Sequence, residues 1–135
     1  MPLLSWSGAF SIGIGPLDRE HRELFAAINN LQAAVESAQE PAVTTAMLRR
    51  VAVDTVAHFL DEERMMSATK YPGLVLHAMK HQHLISQLNA FLGRYSREDA
   101  IMNIYSLNFL RDWCTTHIQT EDRNFGFWLN EHGKY

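Results

Sequence analysis

The sequence predicts an all-α fold, an up-down-up-down antiparallel four-helix bundle led by an extended N-terminal arm. Three observations predict it. Apolar residues recur at three-and-four spacing along four separate stretches, the period of an amphipathic helix. Proline or glycine stands where those stretches begin or end, at Pro16, Pro41, Tyr71-Pro72-Gly73 and Gly93. No run alternates apolar and polar residues as a half-buried strand would, and nothing repeats internally. Four helices of about 20 to 28 residues on short links favour antiparallel neighbours.

The arm, residues 1–15, interleaves Trp6, Phe10, Ile12 and Ile14 with Gly8, Gly13 and Gly15, which gives no helical period; its buriable side chains argue that it packs. Pro16 suits the first turn of the first helix, and Asp18 and Glu20 sit near the positive end of its dipole. Leu24, Phe25, Ile28, Leu31 and Val35 then form one stripe, with His21 on it, and the helix fades over residues 36–40. The second helix opens at Pro41 and carries Leu48, Val51, Thr55, His58, Glu62 and Met66 on one face. The third carries Leu74, His77, His81, Leu84, Leu88 and Phe91 or Leu92, and is expected to stop at Gly93. Ser96 followed by Asp99 resembles a capping arrangement for the fourth, whose stripe is Ile104, Leu107, Leu110, Trp113 or Cys114, and His117. The tail, residues 123–135, holds Phe125, Phe127 and Trp128 and is expected to fold back onto the bundle.

All 135 residues are expected to form one domain, which at this size buries roughly two thirds of its unfolded surface. The net charge of −3 comes without a Lys/Arg cluster, so nucleic acid and anionic membranes are not expected partners. Apolar runs are too short to span a bilayer, and the start lacks a basic, cleavable leader. A single cysteine, Cys114, excludes an internal disulfide and fits a reducing compartment. A cytoplasmic monomer is the expectation.

Chemistry concentrates on the inward stripes. His58 and Glu62 lie four residues apart, as do His77 and His81, so each pair points one way from its helix. The fourth helix adds His117 and Asp122, and the first adds His21. Burying seven such groups without partners would cost roughly several kcal/mol each, and a metal site resolves that cost. Any one pair is weak evidence, whereas donors on four core faces at once are not. His83 and His132 fall off the stripes and read as surface residues; Asp61, Glu63 and Asp112 flank the donors and read as solvated. Five residues on a regular helix turn through about 140°, so His117 and Asp122 can both face inward only across a loosened or terminating turn near residues 119–122. Seven donors exceed one zinc, and imidazole-rich ligation disfavours Ca²⁺, Mg²⁺ and iron–sulfur clusters. Two metals sharing carboxylates fit better. The Glu-x-x-His motif of carboxylate-rich di-iron bundles does not occur.

The segments SWSGAFSIGI, LDREHRELF, HFLDEERMM, YPGLVLHAMKH and DWCTTHIQTED agree in order, spacing and flanking residues with the hemerythrin family. The chain resembles its single-domain bacterial members over nearly its whole length. The resemblance implies a non-haem di-iron centre: His77, His81 and His117 on one iron, His21 and His58 on the other, and Glu62, Asp122 and an oxo or hydroxo group bridging. With octahedral irons, that set leaves one position open, on the iron held by His21 and His58. Reversible O₂ binding there, for storage, delivery or buffering, is the implied function, with NO among other small ligands. An oxygen- or redox-sensing module, and a di-iron peroxidase or nitric oxide reductase, are the alternatives. No second domain favours the first, and no acid–base pair near the open position favours an enzyme. Phe25, Phe59, Met65, Trp113 and Ile118 are the pocket candidates. Cys114 stands where the family leads one to expect leucine and reads as a small core residue; the tail's FGFWL also departs from the expected pattern.

Overall fold

The computed structural model describes residues 2–96 and 101–134. Five helices follow in order: α1 Gly15–Glu36, α2 Pro41–Ala68, α3 Leu74–Ser96, α4 Ile104–His117 and α5 Arg123–Glu131, with a π turn Ile118–Asp122 between the last two and a 3₁₀ turn Gly8–Phe10 before the first. The long helices form an up-down-up-down antiparallel bundle in which α1 packs on α2 and α4, and α2 on α3. Leu17, Ile28, Leu31, Leu48, Met66 and Leu107 are fully buried along its axis.

Proline occupies the first turn of both α1 and α2, where its missing N–H costs nothing. Asp18 does more than meet the dipole: its carboxylate accepts from the Ser11 hydroxyl at 2.6 Å and the Ile12 N–H at 2.9 Å, tying the arm to α1. The arm then buries Leu4, Ile12 and Ile14. Trp6 and Phe10 meet Phe25 edge-on, with ring centroids 5.4 and 5.0 Å away. Phe25 therefore serves the arm's aromatic cluster.

Four sequence expectations are corrected. Helix α3 runs past Gly93 to Ser96, because Tyr95 is anchored: its hydroxyl donates to Ser106 Oγ at 2.7 Å and its carbonyl accepts from Thr45 Oγ1 at 3.0 Å. One helical glycine costs about 1 kcal/mol, less than such anchoring can offset. The cap of α4 is a reciprocal capping box between Asn103 and Ser106; Asp99 lies outside the described residues. Ile104, in that first turn, is 36% exposed and does not join the inward stripe. The tail does not fold back. Helical dihedrals continue from His117 through Arg123, so α5 prolongs α4 and buries Phe125 and Leu129 against the bundle. Phe125 and Trp128 pack on Tyr71, at 4.9 and 5.3 Å between centroids. Gly126 lets the arm cross α5 closely, since a Cβ there would sit 2.0 Å from the Ile12 carbonyl oxygen.

Candidate metal centre

All seven sequence-predicted donors converge. They fall into two groups whose ligand atoms lie within 4.8 Å of one another: Glu62, His77, His81, His117 and Asp122 in one, His21, His58, Glu62 and Asp122 in the other. Every member is buried, Glu62, His81 and Asp122 completely. The two carboxylates belong to both groups and divide their oxygens between them. Glu62 Oε1 faces His77 Nε2 at 2.5 Å and His81 Nε2 at 3.1 Å, while Oε2 faces His58 Nε2 at 3.3 Å. Asp122 Oδ1 faces His117 and His77 Nε2 at 3.0 and 3.1 Å, and Oδ2 faces His21 Nε2 at 3.1 Å.

The wide turn before α5 makes this possible. Its i→i+5 closure stacks a residue over the one five positions earlier, which carries Asp122 onto the face of His117.

The electrostatics suit cations. Burial and the neighbouring Asp122 both push the Glu62 carboxyl up, but bonds from His58, His77 and His81 prevail and hold it near 2. Burial opposes ionisation of Asp122 as well, yet His117, His21 and His77 keep it well below the usual carboxylate range. Burial alone would lower the two histidines; Glu20, Glu62 and Asp122 instead raise His58 to about 10, and Asp122 and Glu62 raise His77 to about 9. Glu62 Oε2 and both Asp122 oxygens are buried with imidazole nitrogens 3.0 to 3.3 Å away, none of them aligned as a hydrogen-bond partner among the described residues. Buried anionic oxygens facing a ring of imidazole nitrogens form a donor set for metal ions of borderline softness.

Carboxylates missed from sequence stand outside the ring. His58 Nδ1–H donates to Glu20 at 2.8 Å and His81 Nδ1–H to Glu63 at 2.8 Å, while Glu121, held by Lys80, lies 3.7 Å from His117 Nδ1. Glu63 is thus corrected from a solvated neighbour to the partner of His81. Each carboxylate adjoins a donor in sequence: Glu20 beside His21, Glu63 beside Glu62, Glu121 beside Asp122. Adjacent helical residues diverge by about 100°, so one reaches the centre and the other a neighbouring imidazole's outer nitrogen. That bond fixes each ring with Nε2 inward. Glu63→Ala is expected to weaken metal binding about 10- to 100-fold, with Glu63→Gln keeping most of it; competition against a metal-sensitive dye checks this.

Beside the centre lies a small, mostly apolar cavity of about 10 Å³, counted as space for the centre of a water-sized molecule. Of the five sequence candidates, Phe59, Trp113 and Ile118 line it. Phe25 sits with the arm, and half-buried Met65 packs on the hydrophobic core; neither is in the wall. Phe59 also stacks flat on the His81 ring, 3.8 Å between centroids. Leu24, Leu84 and Cys114 were not expected there. Each lies three residues from a donor histidine, one turn along the same face, and that spacing was the available signal. Burial and Asp122 push the Cys114 thiol up, so it stays protonated. His83 and His132 are exposed, as are Asp61 and Asp112.

Residues 13–129 match the family model described as hemerythrin HHE cation binding domain. Among curated relatives, a myohemerythrin of Sipunculus nudus is 30% identical over 117 residues, 87% of this chain and 86% of its own. A bacteriohemerythrin of Stenotrophomonas maltophilia is 28% identical over 132 residues, 98% of this chain and 85% of its own. The crystal structure of a wild-type hemerythrin superposes with a TM-score of 0.84 at 25% identity, covering 92% of this chain and 95% of that one.

Proposed function

The chain belongs to the hemerythrin family, and on that premise we propose that it binds O₂ reversibly at a non-haem di-iron centre. The observation that carries this reading is the division of Glu62 and Asp122 between two donor groups beside a small apolar cavity. On this reading His77, His81 and His117 hold one iron, His21 and His58 the other, and the two carboxylates bridge. Bound iron supplies the two electrons that dioxygen takes up and returns.

The chain's own residues determine the outcome. Three histidines serve one ion and two the other, and both of the latter, His21 and His58, line the cavity. Of the other three histidines only His117 lines the cavity, so an ion held by His21 and His58 would lie nearer that space. Phe59, Trp113 and Ile118 keep that space dry, which slows irreversible oxidation. Glu20, through the His58 Nδ1–H, keeps Nε2 of that ring turned inward. Apart from the donors, Cys114 is the one titratable residue in the wall, and its protonated thiol makes a poor base. Binding rather than turnover follows, with NO a second small ligand the cavity could admit. All seven donors come from one chain, so a monomer can assemble the centre. A single buried thiol suits a reducing cytoplasm; no helix among the described residues is long and apolar enough to cross a membrane.

Reduced, iron-loaded protein exposed to O₂ should gain a visible absorption band that disappears under vacuum and returns on re-exposure. Irreversible bleaching with consumption of peroxide would replace this reading with an enzymatic one.

A further inference from the structure

The small cavity has two outer neighbours, and they differ in kind. Between α1 and α2 a groove of about 450 Å³ shares Leu24 and His58 with the cavity wall. Between α3 and α4 a groove of about 460 Å³ shares Leu84, Trp113 and His117. In each case the shared side chains stand between the groove and the cavity.

A wall opens only where its side chains move without dragging a metal donor along. On the α1–α2 side one of the two shared residues is His58, fixed by Glu20 on its outer nitrogen and facing the centre with the other. Both grooves carry charge, Arg19, Glu23, Arg50 and Asp54 on this side and Lys80, Asp112 and Glu121 on the other. On the α3–α4 side two of the three shared residues, Leu84 and Trp113, are not donors, and Phe109 extends the apolar lining outward. Leu84 is half-buried, whereas Leu24 is 6% exposed and locked in the core. Among the described residues, the backbones of α3 and α4 also approach less closely than those of the other neighbouring helices. Beside the cavity the Trp113 Nε1–H donates across this looser seam to the Leu84 carbonyl at 3.2 Å, while the Tyr95–Ser106 bond crosses it further along.

We propose that small ligands enter between α3 and α4, and that Leu84 with the indole of Trp113, latched to the Leu84 carbonyl, forms the gate. The proposal rests on the di-iron reading for what the gate serves, but the route itself is a property of the protein wall. Unlatching the indole, or shortening Leu84, widens the passage while every donor stays in place.

The test compares Leu84→Ala, Trp113→Phe, which keeps bulk but removes the indole N–H, and Leu24→Ala in the opposite wall. O₂ association and dissociation rates are measured by flash photolysis and stopped flow on iron-loaded protein. A gate scales both rates together, so Leu84→Ala and Trp113→Phe should each raise them about tenfold while the equilibrium constant moves less than about threefold; Leu24→Ala, which trims the opposite wall of the same cavity, should raise them well below either. Faster rates in Leu24→Ala alone, in all three variants equally, or in none would overturn the proposal. Xenon-pressurised crystals give a readout that needs no O₂ chemistry: density is expected in the cavity and the α3–α4 groove, and xenon confined to the α1–α2 groove would contradict the route. A protein that fails to bind O₂ yet takes up xenon through the α3–α4 seam would sink the functional reading and leave the gate standing.

Discussion

Glu62→Ala and His77→Ala should each yield protein with well under two irons per chain. Glu62 is the more damaging loss, because its two oxygens address both donor groups: one lies 2.5 Å from His77 Nε2 and the other 3.3 Å from His58 Nε2. Its removal takes one donor from each ion and leaves the surrounding imidazoles to repel each other when protonated. His77→Ala removes a donor from one group only, so partial occupancy of the other is expected. Metal analysis of purified protein checks both, and iron content unchanged from the parent would show the donor assignment to be wrong. Helix content should survive in both variants, since each substitution shortens a side chain within a long helix and leaves its apolar stripe intact.

Acid should release iron steeply. His58 and His77 hold their protons up to about 10 and 9 in the field of the buried carboxylates, so below pH 9 iron must displace both. Each displaced proton weakens apparent affinity about tenfold per pH unit, so two give about a hundredfold. The same shifts set the pH dependence of the iron-stripped fold. The depressed Glu62 contributes stability that is present above its ordinary 4.5 and lost as pH falls through about 2. The raised histidines contribute stability that is full below their ordinary 6.5 and lost as pH rises through about 9 to 10. Iron-stripped protein should therefore melt highest between about pH 4.5 and 6.5, while iron retention keeps rising above that window. Thermal midpoints across pH, with and without chelator, separate the two trends; a stripped protein most stable at pH 9 would contradict them.

The bundle could be read from sequence because its helices carry a 3.6-residue apolar stripe and the first two start at prolines. The donors could be picked out because polar residues on such a stripe are conspicuous, and the five-residue step from His117 to Asp122 demanded a widened turn on geometry alone. What periodicity cannot supply is the rotation of one helix against its neighbour. Glu63 looked solvated because it sits off its own helix's inward face; only the placement of α3 brings His81 Nδ1 to it at 2.8 Å. Phe25 was expected in the pocket from its nearness to His21, yet the path of the arm, set by Asp18, claims it for Trp6 and Phe10. The tail misled for a related reason: Phe125 and Phe127 suggest a segment returning to the core, but an uninterrupted helix already lies against it, burying Phe125 and leaving Phe127 66% exposed.

Regular helical winding would turn Asp122 about 140° away from His117 and leave only Glu121 on that face. The expanded coil between α4 and α5 lets consecutive acids clasp a single imidazole from either end, Asp122 at 3.0 Å from Nε2 and Glu121 at 3.7 Å from Nδ1. His117 is in effect held like a coin between finger and thumb, and Lys80 of α3 steadies the outer digit. Losing one residue here would still aim an acid inward, since a four-residue step already does so from His58 to Glu62. It would abolish the two-sided grip, so the extra residue governs how firmly that ring is aligned.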